Sequence, residues 1–145
     1  MREILFRGKT DKGEWVQGQL LHFKASVGTE EFAVIVEGCE WDNSTEWFNL
    51  GKRAKVIPET IGQYTGLTAN GTKIFEGDIL SERPPMNQTA YIGYVSYDDD
   101  LAVWRFMIKN NDRYNGVLLG SYSKSYTVIG NIHDNPELLK EREPK

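Results

Sequence analysis

Residues 91–97 and 101–108 are two strand-length runs of largely apolar and aromatic residues whose side chains sort into faces with a period of two, separated by the acidic run Asp98-Asp99-Asp100. Such alternation sets one side of a strand against a core and the other toward water, and it argues against a helix there. Residues 91–97 and 101–108 therefore read as two strands around a solvated turn. In the second, Ala102, Trp104, Phe106 and Ile108 form the inward face. That face is too apolar to sit in water, so Trp104→Ala is expected to unfold or badly destabilise the chain.

Turn signals of the same kind punctuate the rest of the sequence. Thr10-Asp11-Lys12-Gly13 links a short run at residues 4–7 to residues 14–21, where Val16, Gly18 and Leu20 share a face. Residues 32–36 form an apolar run of strand length. The polar stretch 37–45 reads as a loop before residues 46–50, and 55–57 is a further short strand stopped by Pro58. Asn70-Gly71 is a tight-turn dipeptide, since both residues tolerate positive φ. Strands at 72–75 and 79–81 flank the turn Glu76-Gly77-Asp78, and Pro84-Pro85 opens a loop. Residues 109–113 form another loop, with last strands at 117–119 and 127–132. The one good helix signal is terminal, with Asn135 as N-cap and Pro136 at the first helical position.

The fold class that follows is mainly β, with short strands in small barrel-like or sandwich sheets and strand exceeding helix about twofold or more. Residues 1–66 read as an N-terminal β subdomain. Residues 67–145 read as a small SH3-like barrel with a short terminal helix, the two halves being separate or one continuous domain. Short strands leave sheet edges and aromatic surface to cover, so a homo-oligomer is expected.

Charge and composition exclude more than they identify. Seventeen basic and 21 acidic residues give a net charge of −4, shared evenly by residues 1–66 and 67–145. A chain without a basic stripe is poorly suited to duplex nucleic acid. One cysteine, Cys39, excludes an internal disulfide, and its acidic neighbours Glu37 and Glu40 disfavour a thiolate. Two isolated histidines, His22 and His133, supply no metal-binding spacing, so no metal or other cofactor is expected. No signal-peptide core or membrane-length apolar run is visible, which points to a cytoplasmic protein. The sequons at Asn43, Asn70 and Asn87 are then chance matches.

Catalytic constellations are equally sparse. No nucleophile elbow or phosphate loop occurs, and no catalytic residue is assigned. A small enzymatic site around Asp78, His133 and Asp134 stays open as an alternative. In the Glu76-Gly77-Asp78 turn the carboxylates more naturally cap backbone N–H groups. Tyr91, Tyr94, Tyr97, Trp104, Phe106, Tyr114, Tyr122 and Tyr126 crowd the second half. Of these, Tyr91, Tyr94 and Tyr97 are the candidate binding residues, with Tyr91 and Tyr97 on an exposed shelf beside Gly93 and Val95. Such a shelf would take a host or phage protein, or alternatively stack the bases of a single strand.

Three motifs carry a resemblance. They are Arg2-Glu3-Ile4-Leu5-Phe6-Arg7-Gly8 with Gly13-Glu14-Trp15-Val16; Tyr64-Thr65-Gly66 with Asn70-Gly71 through Gly77-Asp78; and Gly130-Asn131-Ile132-His133-Asp134-Asn135-Pro136. In this order they resemble the YopX-like family of bacterial prophage and phage proteins. The resemblance implies a phage-associated, mainly β protein acting as a non-catalytic accessory or interaction module. Tyr64, Thr65, Gly66, Gly71, Gly77, Asp78, Gly130, Asn131, Asn135 and Pro136 read as its scaffold, since the glycines fall where turns are expected.

Overall fold

The computed structural model describes residues 1–28, 30–83, 89–110, 113–120 and 125–140. Of the described residues 63% are strand and 6% helical, so the fold is mainly β, in two antiparallel sheets. The chain divides into two compact units, Met1–Tyr64 and Thr65–Lys145.

In the first unit β1 (Phe6–Lys9) and β2 (Trp15–Lys24) form the expected hairpin, closed by Lys9↔Trp15 and turned at Gly13 with φ 81°. β3 (Glu31–Asp42) and β4 (Trp47–Val56) follow, and the start of β5 (Gly62–Ala69) pairs with β1. The ladder order is β4-β3-β2-β1-β5. Val16, Ala33, Ile35 and Val56 make the core, with Phe6, Leu20, Ala54 and Ile61 packed on it. A 3-10 turn at Pro58–Thr60 ties the end of β4 back to β1. The Ile57 N–H donates to the Lys9 carbonyl, and the Thr60 hydroxyl oxygen accepts from the Lys9 N–H.

Here the sequence reading needs its largest correction. The stretch 37–45 is not a loop, because β3 runs on to Asp42. The pieces 46–50 and 55–57 belong to one strand, β4, with Glu46 left in the turn at φ 52° and Ile57 just past its end. Polarity misled because β2 leaves β3 at Gln19↔Val36, so residues 37–42 pair with β4 alone. A ribbon with no sheet beneath it has no inward face to fill with apolar residues.

In the second unit the rest of β5 hairpins to β6 (Thr72–Phe75) through Asn70 and Gly71, both at positive φ. β7 (Asp78–Glu82), β8 (Tyr91–Asp98), β9 (Val103–Asn110), β10 (Arg113–Leu118) and β11 (Tyr126–Asn131) form the five-stranded sheet β10-β9-β8-β7-β11. Ala69 and Ile74 of the β5–β6 hairpin share one core with Leu80, Val95, Phe106 and Tyr126. The rings of Phe106 and Tyr126 meet edge to face at 5.2 Å.

Trp104 does not hold the place expected of it. Ala102 lies in the turn at φ 53° and β9 starts only at Val103, so Trp104 is the first inward residue and is half-buried against Tyr97, ring centroids 4.8 Å apart. Phe106, one step further in, is fully buried. The acidic turn caps itself: Asp98 Oδ1 accepts the Leu101 N–H, and Oδ2 accepts Arg105 Nε–H at 2.6 Å. The Arg105 side-chain hydrogen bond, then that of the Leu101 N–H, holds the Asp98 carboxyl below its ordinary value. The strand at 117–119 begins earlier, at Arg113. Of the loop expected at 109–113, Lys109 and Asn110 belong to β9 and Arg113 to β10; Asn111-Asp112, like Pro84-Pro85 and Tyr122, lie outside the described residues.

The terminal helix is only a 3-10 turn, Pro136–Leu139. Asn135 does not cap it with its side chain; its Oδ1 reaches back to accept the Asn131 N–H. No helix among the described residues is long and apolar enough to cross a membrane.

Candidate functional site

The three tyrosines are on one strand but not on one surface. Tyr91 and Tyr97 share a face with Gly93 and Val95, yet both of these are buried, so the face belongs to the core. The two rings show only at its ends, and no continuous shelf forms between them. Tyr94 points to the other side and meets Tyr114 edge to face at 5.4 Å. Tyr91 lines an open groove of about 410 Å³ with Ile92, Ile108, Lys109, Leu138 and Leu139.

Asp78, His133 and Asp134 come from two turns that lock together. Asp78 is buried, and its Oδ2 accepts the Phe75 N–H at 2.8 Å, closing the Glu76-Gly77 turn. Gly77, at φ 84°, donates its N–H to the Val95 carbonyl and accepts the Ile132 N–H at 2.9 Å. In the second turn Asn131 Oδ1 accepts the N–H groups of both His133 and Asp134, while Asn131 Nδ2 donates to Asp134 Oδ2. The Asn135 carboxamide fills the space over Gly130, where an added Cβ would lie 2.6 Å from Oδ1. Nearby, the Thr65 hydroxyl donates to the Ile74 carbonyl and accepts the Leu67 N–H, while Gly66 sits at φ 86°. These side chains satisfy backbone groups that a turn would otherwise leave unpaired. Among the described residues, no group of three or more His, Cys, Asp or Glu is placed to hold a metal ion.

What the sequence reading passed over is the ribbon formed by residues 37–42 of β3 and 47–52 of β4. Trp41 opposes Phe48 and Asp42 opposes Trp47 at its tip. Trp41, Trp47 and Phe48 are 60%, 65% and 47% exposed, although each is the kind of side chain that a core or interface normally covers. The Trp47 and Phe48 rings stack on one another at 5.4 Å. Around them stand Glu37, Glu40, Asp42 and Glu46 against a single base, Lys52. Cys39, whose acidic neighbours disfavour a thiolate, is exposed here opposite Leu50.

A comparison with known families closes the question of kinship. The family described as "YopX protein" matches residues 5–140, nearly the whole chain. The chain belongs to the YopX family. No curated protein matches it.

Within this YopX chain the motif residues and the exposed aromatics are different sets. Thr65, Gly77, Asp78, Asn131 and Asn135 hold turns shut, as their hydrogen bonds show. Trp41, Trp47 and Phe48 lie in the segment where the sequence offered no motif. The signal that would have found them is the Trp41…Trp47-Phe48 spacing, symmetric about a four-residue turn in otherwise polar surroundings.

Proposed function

We propose that this YopX chain is a non-catalytic interaction module of a phage or prophage, working in the cytoplasm, and that the β3–β4 ribbon is its contact surface. The observation that carries this reading is the exposure of Trp41, Trp47 and Phe48 together at one ribbon tip. Interface anchors are enriched in such aromatics, and an exposed cluster of them costs solubility unless something covers it. The alternative enzymatic reading has less support, because Asp78 and Asp134 each spend a carboxylate oxygen on holding a turn. The single-strand reading has less support too, since Tyr94 faces away from Tyr91 and Tyr97.

The test compares proteins retained by the tagged wild type and by a Trp41→Ala/Trp47→Ala/Phe48→Ala variant, including an untagged co-expressed copy. Exposed substitutions of this kind shift stability by about 0.5 kcal/mol or less each, so the melting temperature should barely move. The variant is expected to lose the bound proteins. Retention of the same set at wild-type levels would overturn the assignment.

A further inference from the structure

Building on the interaction reading, we propose that the ribbon's partner is a basic protein segment, whose Lys and Arg side chains lie on the Trp41, Trp47 and Phe48 rings and pair with the carboxylates beside them. The docking face is built by the ladder. Opposed residues of an antiparallel pair share a face, which groups Trp41 with Phe48 and Cys39 with Leu50. Trp47 opposes Asp42, and its ring is turned against that of Phe48, nearly parallel at 11°. Three rings are thereby gathered at one end of a two-stranded ribbon, each about half exposed or more.

Charge decides what covers these rings. Residues 37–51 hold Glu37, Glu40, Asp42 and Glu46 and no Lys or Arg. Taking those four from 21 acidic residues leaves 17, which balance the 17 basic ones, so the net charge of −4 resides in this segment. The Asp42 carboxyl is held below its ordinary value by the Ser44 hydroxyl and then the Ser44 N–H, and it keeps its charge in mild acid.

Aromatic faces attract cations, and the aliphatic stem of a Lys or Arg covers apolar surface while its head pairs with a carboxylate. The first unit already makes this contact within itself. The Arg7 guanidinium lies 4.9 Å from the Trp15 ring centroid, and the Lys55 ammonium 5.1 Å from that of Phe32. At the ribbon tip the rings and carboxylates are present, and residues 37–51 supply no cation to meet them. The same charges select against other occupants. Carboxylates among the rings repel nucleic-acid phosphates, and a second copy docked tip to tip would face four carboxylates with four.

Fluorescence anisotropy with two dye-labelled peptides of equal length tests this, one alternating Arg with Ser and the other Glu with Ser. At about 50 mM salt, where screening is weak, the wild type is expected to bind the Arg peptide about tenfold tighter or more. Glu37→Gln/Glu40→Gln/Glu46→Gln, which leaves Asp42 in place to hold the Ser44 turn, should weaken that binding about tenfold. Trp41→Ala/Trp47→Ala/Phe48→Ala leaves every charge in place and should weaken it by as much. A peptide drawn by net charge alone would not respond to this second variant. Both variants replace exposed side chains and should melt with the wild type. Equal binding of the two peptides, tighter binding of a labelled oligothymidylate, or undiminished binding of the Arg peptide to the triple alanine variant would overturn the proposal. If the Arg peptide does not bind while the triple alanine variant still loses retained proteins, or loses an untagged second copy alone, the basic-segment assignment fails and the interaction reading stands. If that variant loses nothing, the interaction reading fails as well.

Discussion

Phe106→Ala is expected to cost about 3–5 kcal/mol, enough to unfold the second unit near physiological temperature. Phe106 is fully buried where β9 crosses the core, with Val95, Leu80 and Ile74 in the same cluster and Tyr126 edge-on to its ring. Truncation leaves a cavity that strands from two hairpins would have to close. The adjacent Trp104→Ala is the control. Because Trp104 is only half-buried, about half that loss is expected, and the protein should remain folded. Chemical denaturation of the two variants checks the ordering, which a larger loss at Trp104 would reverse.

Gly18→Ala should be nearly as damaging in the first unit. Gly18 lies where β2 parts from β3, and an added Cβ would stand 2.1 Å from the Val36 carbonyl oxygen. The obstruction is backbone, so no rotamer change relieves it, and the two strands must separate. Overpacking of this kind costs about 1–3 kcal/mol and more where the backbone has to move; we expect about 3 kcal/mol. Gly71→Ala is a poor comparison, since its φ of 81° adds strain of its own. Gly18 has no such complication. A thermal melt of Gly18→Ala that overlays the wild type would show that β2 and β3 are not held as closely as the structure has them.

How much of this was written in the sequence depends on what each segment packs against. The alternation over residues 91–108 predicted β8 and β9 because one side of that sheet is buried, and burial imposes a period of two. Asn70-Gly71 gave its turn because positive φ at two successive residues is a local requirement. Residues 37–52 escaped because a ribbon with both faces in water imposes no such period. Its polar and aromatic residues resemble those of a loop. The terminal helix was over-read for a related reason. Asn135 has the chemistry of an N-cap, but its carboxamide is drawn back to Asn131 by a turn that local signals do not announce. Asp78, by contrast, was legible as a cap of its own turn and does accept the Phe75 N–H, whereas the bond from Asn131 to Asp134 gave no signal in the sequence. Of the candidate site, then, the motif turns were legible and the contact surface was not.

Fold maintenance is assigned to the turns around Gly77 and Asn131, and the proposed partner contact to the β3–β4 ribbon. Hydrogen exchange, followed peptide by peptide in the free protein and in the protein with its retained partners, separates the two directly. Amides of residues 37–52 are expected to exchange fast in the free protein and to gain protection in the complex. Those of residues 130–135 should be slow under both conditions. Unchanged exchange across residues 37–52, with protection on binding appearing along β10 or in the Tyr91 groove, would contradict this assignment.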